Sequence, residues 1–290
     1  MSVALIYLHK RPRGSLPQRL ALQHERMRAK AAETGYFLEI VYRSDFASPQ
    51  QLSKALWARG CTGIILSPAL EQKDSHLNDL TGFDWSRFAV VKVVRAHGTA
   101  PCHCIRSSAF SDMKATLDKV LSAGYRRPGI LMLADTASSE DDFSRLGAVK
   151  AFEILRKQDF AALRLWYRHE ITPADLQEIL PDIDRFRPDC IIGFPISWRV
   201  RLEESGYRMP RDFAFVGLPV VPAEAAQSGV ATSGFLFDLC GQIFPLALEV
   251  LHQEISSGRC GLPKHPSEWI VPQVWQEGVT MPGLPKTPRA

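Results

Sequence analysis

Three short constellations in this chain have residue types that could do chemistry. Cys102-His103-Cys104 offers metal-ligating atoms, but structural zinc is usually held by four ligands in spaced pairs. On a strand His103 would also face away from both thiols, because alternate side chains point to opposite faces. His24-Glu25 begins as a helical zinc-protease motif does, yet Arg28 stands where the second histidine is required. Asp74-Ser75-His76 holds the residue types of a hydrolytic triad, and triads gain nothing from adjacency in sequence. Gly-x-Gly-x-x-Gly after a strand, the Gly-Lys-Ser/Thr phosphate loop and Gly-x-Ser-x-Gly are all absent. The residues therefore point to binding without catalysis, and no metal or cofactor is expected.

The elements that must position any binding residues alternate regularly. Apolar runs predict strands at Val3 to Leu8, Phe37 to Tyr42, Gly63 to Leu66, Ala89 to Val94, Gly129 to Ala134, Leu163 to Tyr167, Cys190 to Phe194, Phe213 to Gly217 and Trp269 to Val274. Helical spacing predicts helices at Pro17 to Thr34, Pro49 to Ala58, Phe110 to Ala123, Phe143 to Lys157, Pro173 to Phe186, Ser197 to Ser205 and Leu239 to Gly258. Strands alternating with helices imply an α/β fold of parallel sheets covered on both faces. Ligands of such sheets sit at the carboxyl ends of the strands.

Composition bounds the partners. The chain has 290 residues, enough for one large or two ordinary domains, and 46% hydrophobic residues can fill substantial cores. A net charge of +4 is mild, whereas a DNA-reading module concentrates Lys and Arg on one face. The densest basic run is His9-Lys10-Arg11-Pro12-Arg13 after the first strand. No apolar run reaches the ~18 residues of a membrane span, and the start lacks the basic and apolar segments of a secretory signal. A cytoplasmic location without membrane contact is expected. Six cysteines are too few for a disulfide framework.

Pro188-Asp189-Cys190-Ile191-Ile192 followed by Gly206-Tyr207-Arg208-Met209-Pro210-Arg211-Asp212-Phe213-Ala214-Phe215-Val216-Gly217 spells out a strand-helix-strand unit with its punctuation. These residues resemble the effector domain of the LacI family of bacterial transcription regulators. Ala123-Gly124-Tyr125-Arg126-Arg127-Pro128-Gly129-Ile130-Leu131, Gly60-Cys61-Thr62-Gly63-Ile64-Ile65-Leu66 and Ser144-Arg145-Leu146-Gly147-Ala148 are similar to further segments of that family, in the family's order. Tyr125 replaces the usual histidine.

The resemblance implies a periplasmic-binding-protein-like fold: two doubly wound parallel-sheet subdomains joined by a three-crossover hinge, with the ligand between them. Matching order places the crossovers near Gly124, Gly234-Phe235 and Ser267. The first subdomain would take residues 1–124 and 235–266, the second 125–234 and 267–282, and 283–290 would form a disordered tail. The function implied is a ligand-sensing domain of a homodimeric regulator, closing on its effector by hinge motion. DNA would be met only through an upstream helix-turn-helix headpiece, which the chain lacks. A free-standing solute-binding protein of a transport system is the alternative.

At positions matching the family's pocket stand Ser67, Arg95, Arg145, Phe194, Trp198 and Phe235. Lys10 and Arg11, following the first strand, would join them. The polar residues with which sugar-binding members hold ring hydroxyls are replaced by Pro195, Ile196, Pro219 and Phe235. The resulting expectation is an apolar pocket with a cationic side. It suits a sugar acid, a phosphorylated sugar or an aromatic glycoside better than a neutral monosaccharide.

Overall fold

A computed structural model describes residues 1–284 other than 15, 70–71, 135–138, 221–230 and 273. The expected tail from 285 onward lies outside the described residues. Its beginning does not: the Leu284 N–H donates to the Ala123 carbonyl at 2.9 Å, and the Tyr125 hydroxyl donates to the Pro282 carbonyl.

The chain divides into two units, each built on a six-stranded sheet. The first unit holds Met1–Ser107 and Asp238–Val271. Its strands are β1 (Ser2–Tyr7), β2 (Phe37–Tyr42), β3 (Cys61–Ser67), β4 (Ala89–Val93), β5 (His103–Arg106) and β11 (Glu268–Ile270), in the order β11-β5-β4-β3-β1-β2. All neighbours are parallel, with Ile6 of β1 opposite Val41 of β2 and Leu66 of β3. Side chains alternate across this sheet. Ala4, Ile6 and Leu8 cluster with Leu52 and Leu56 of α2 (Pro49–Ala58), so Val3, Leu5 and Tyr7 face the opposite side. That side is covered by α1 (Gln18–Glu33) and by the helix Phe244–Ser256, called α7 below.

The second unit holds residues 108–134, Ser139–Phe237 and 272–284. Strands β6 (Pro128–Leu133), β7 (Arg164–Arg168), β8 (Cys190–Phe194), β9 (Ala214–Val220), β10 (Ser233–Leu236) and β12 (Val274–Gln276) are ordered β12-β10-β9-β8-β6-β7, and only β12 is antiparallel. Ile130, Met132, Ile192 and Val216 meet α3 (Ala109–Ser122) and α4 (Ser139–Leu155) on one face. Leu131, Ile191 and Phe215 meet α5 (Pro173–Phe186) and α6 (Trp198–Glu204) on the other. Both sheets are thus doubly wound. Gly193 makes the second packing possible, since a Cβ there would lie 2.5 Å from the Phe215 ring and 3.2 Å from Trp198 Cβ.

Several expected boundaries move. The first passage between units falls after Ser107 rather than near Gly124. The buried face of α3, Met113, Leu117 and Val120, belongs to the core with Ile130 and Val216. The later passages follow Phe237 and Val271, a few residues beyond those expected. The single strand expected at Trp269 to Val274 is two: β11 pairs with β5 in the first unit, and β12 pairs with β10 in the second. Pro272, which has no N–H for a ladder, lies between them. Finally, α4 begins at Ser139, not Phe143, with Glu140, Asp141 and Asp142 in its first turn, where acids favour the helix dipole.

Candidate functional site

In the second unit the carboxyl ends of β7 and β8 carry Tyr167 and Phe194, and α4 brings Asp142 and Arg145 to them. The earlier start of α4 places Arg145 in its second turn and Asp142 three residues before it, on the same face. The Arg145 guanidinium lies over the Phe194 ring, 3.7 Å from its centroid. Its Nη1 donates to Asp142 Oδ1 at 3.1 Å, and the Tyr167 hydroxyl donates to Asp142 Oδ2 at 3.0 Å. The Arg145 and Asp142 side chains are only 11% and 8% exposed. Such a cluster offers a flat stacking surface, a fork of donors and a carboxylate acceptor. A vicinal diol has the matching pattern, because each hydroxyl both donates and accepts.

The other aromatics behave differently. Trp198 is fully buried among Ile191, Leu202 and Phe215, and its indole N–H donates to the Phe194 carbonyl at 3.2 Å. It supports the Phe194 backbone from the core, which corrects its expected place as a lining residue. Phe235 on β10 is nearly buried and packs edge-on against Trp275 at 5.1 Å.

In the first unit the loop after β1 is tied to acids of that unit. The Lys10 N–H donates to Asp74 Oδ2 at 3.1 Å, and its ammonium is 3.8 Å from Oδ1. Asp74, of the sequence triad Asp74-Ser75-His76, thus serves this loop. Arg11 forks onto Asp45 and lies 4.5 Å from the Tyr42 ring centroid. Arg95 donates to Glu268 at 2.7 Å, and Arg106 binds the same carboxylate. Ser67 ends β3, half-buried, with its carbonyl accepting from the Leu8 N–H. Lys10, Arg11, Arg95 and Arg145 therefore each have a carboxylate partner. The cations expected on one side of the pocket are thus each accompanied by a carboxylate: fixed cations in a fold attract acids of the same chain, and the sequence does not show these pairings.

Cys102 and Cys104 are buried, and burial pushes their thiols up to about 12 and about 11. His103 accepts from the Ser267 N–H at 3.1 Å. Among the described residues no group of His, Cys, Asp and Glu could hold a metal ion, and no helix is long and apolar enough to cross a membrane.

Comparison with solved structures completes this picture. A LacI transcriptional regulator from a Rhodococcus species superposes with a TM-score of 0.65 at 17% identity, covering 98% of this chain and 99% of that one. A LacI family regulator from Arthrobacter in complex with lactose gives 0.63 at 15% identity, over 97% and 98%. One from Enterococcus faecium with bound ribose gives 0.60 at 12%, over 98% and 100%. The chain has the LacI-type effector-domain fold. No family model and no curated protein matches the sequence.

Of this cluster within the LacI-type fold, sequence reasoning had named Arg145 and Phe194 as candidates and had not named Asp142 and Tyr167. The i,i+3 spacing of Asp142 and Arg145 was the available signal. It also missed a second cluster in the first unit. The Tyr7 ring stacks on Tyr42 at 5.2 Å and on His24 of α1 at 5.5 Å. Burial, followed by the charges of Arg28, Arg11 and His9, lowers the His24 pKa from 6.5 to about 4. Folding therefore favours neutral His24. Its contribution to stability is complete above pH 6.5 and is lost as pH falls towards 4. Stability measured in urea should decline through this window, and His24→Gln should flatten the decline relative to the parent. Identical slopes for the two proteins would refute this role.

Proposed function

We propose that this chain is the ligand-sensing part of a LacI-like, homodimeric transcription regulator, and that it binds a neutral carbohydrate without chemical turnover. The observation that carries the reading is the Arg145 guanidinium stacked on Phe194 while paired with Asp142 at the carboxyl edge of the sheet. A sugar ring presents one apolar face for stacking, and adjacent hydroxyls for a donor beside an acceptor. The charge of Arg145 is already balanced, so a ligand carboxylate or phosphate would meet Asp142 as a like charge. The lactose and ribose held by two structures of the same fold agree with the neutral class.

Calorimetry against pentoses, hexoses and disaccharides, each paired with its uronic acid or phosphate, tests the reading. Saturable binding of a neutral member, at least tenfold tighter than its acidic counterpart, is the expected result. Preference for the acids, or consumption of the bound sugar, would overturn it.

A further inference from the structure

The stacked trio in the first unit leaves three polar atoms unsatisfied. The hydroxyls of Tyr7 and Tyr42 and the Nε2 of His24 are buried without a hydrogen-bond partner. The three residues are 4%, 1% and 4% exposed. Buried polar groups nearly always find partners, and an orphan calls for an explanation such as an ordered water, an ion or a ligand. Alongside them, between α1 and the edge strand β2, lies a pocket of about 320 Å³ whose walls include Arg11, His24, Arg28, Ile40 and Tyr42.

We propose that this pocket of the first unit binds a small oxyanion, a carboxylate or a phosphate group. Arg28, on the exposed face of α1, supplies the charge at the mouth. Arg11 lies across Tyr42 and adds to the field, although Asp45 takes up its fork. Tyr42 and His24 stand in the pocket wall, each carrying a polar atom without a partner, and a hydroxyl or the N–H of a neutral imidazole can donate to an anion. Glu25 is the one acidic residue in the wall. It does not reverse the local field: the charges that perturb His24 are those of Arg28, Arg11 and His9, all cationic when charged. Two arginines against one glutamate in the wall, beside donors without partners, favour an oxyanion over a neutral polar molecule. The pocket also has room for more than the anionic group itself, so free phosphate and an organic phosphate or carboxylate share the recognition chemistry.

The test is thermal unfolding at constant ionic strength, with inorganic phosphate, acetate and glycerol phosphate titrated separately. At least one of them should raise the melting temperature saturably, and the most effective identifies the source of the anion. Tyr42→Phe removes a hydroxyl that has no partner, so the unliganded variant should melt no lower than the parent while its anion affinity falls by about tenfold. Arg28→Gln, at an exposed position, should reduce the affinity comparably and leave the fold intact. Shifts no larger than those from sodium chloride of the same ionic strength would overturn the proposal. So would a saturable shift that both variants retain, because a trapped water or diffuse surface charge would then explain the pocket.

Discussion

Replacing Arg145 by alanine is expected to abolish measurable sugar binding and to destabilise the second unit by about 3 kcal/mol. Removing one member of a buried ion pair typically costs about 3 to 5 kcal/mol, because the other charge stays behind without compensation. Here the lower end applies: Asp142 keeps the hydrogen bond from Tyr167. For the ligand, one charge-assisted hydrogen bond is worth about 1.5 to 3 kcal/mol, or roughly tenfold to more than a hundredfold in affinity. The stacking surface over Phe194 is lost with it. The double variant Arg145→Ala/Asp142→Asn separates the two effects. It should recover much of the stability, since no buried charge remains, and none of the binding. Urea titration and calorimetry on the same preparations provide both readouts, and a single variant with unchanged affinity would remove Arg145 from the site.

Gly278→Ala should do still more damage to the fold. A Cβ at Gly278 would stand 2.3 Å from the Ala231 carbonyl oxygen, 2.5 Å from the Ser233 nitrogen and 2.6 Å from the Thr232 carbonyl carbon. These are backbone atoms, so no side chain can rotate away. The segment they press against is also fastened in several places. Ser233 N–H donates to Thr280 Oγ1 at 2.9 Å, Thr280 Oγ1 donates to the Phe215 carbonyl at 2.7 Å, and Phe215 N–H donates to the Thr280 carbonyl at 2.7 Å. Relief of the clash must pull residues 278–281 away from β9 and β10 and break some of these bonds. The expected loss exceeds about 4 kcal/mol, the range that overpacking reaches only when backbone must move. A change below about 1 kcal/mol in urea denaturation would show that the segment can shift freely.

The strands best read from sequence are those buried on both faces. Residues 3–7, 63–66 and 190–193 are continuous apolar runs because a doubly wound sheet has no polar side. The short edge and near-edge strands were not legible. His103–Arg106 and Ser233–Leu236 have four residues each, with too little periodicity to stand out from loops. Pro272 was the available sign that Trp269 to Val274 is not one strand. In the candidate site, individual residues were legible and their partners were not. Arg145 could be located by resemblance. Whether its charge is balanced depends on Asp142, which depends in turn on where α4 begins, and helix starts are set by local competition among several capping arrangements. Aromatics at strand ends posed the opposite difficulty. Tyr7 and Tyr42 lie within apolar strand runs of the sequence, and only three-dimensional packing shows hydroxyls without partners.

Neither sheet can be completed from an uninterrupted stretch of chain. The first has five strands by Arg106 but takes its last, β11, from residues 268–270, and the second takes β12 from 274–276. During synthesis, then, the β5 edge is made more than 150 residues before its partner strand, and until β11 is added it presents unpaired backbone to other nascent chains. A nonsense mutation before about residue 268 would remove β11 from one sheet and β12 from the other, injuring both halves of the molecule at once.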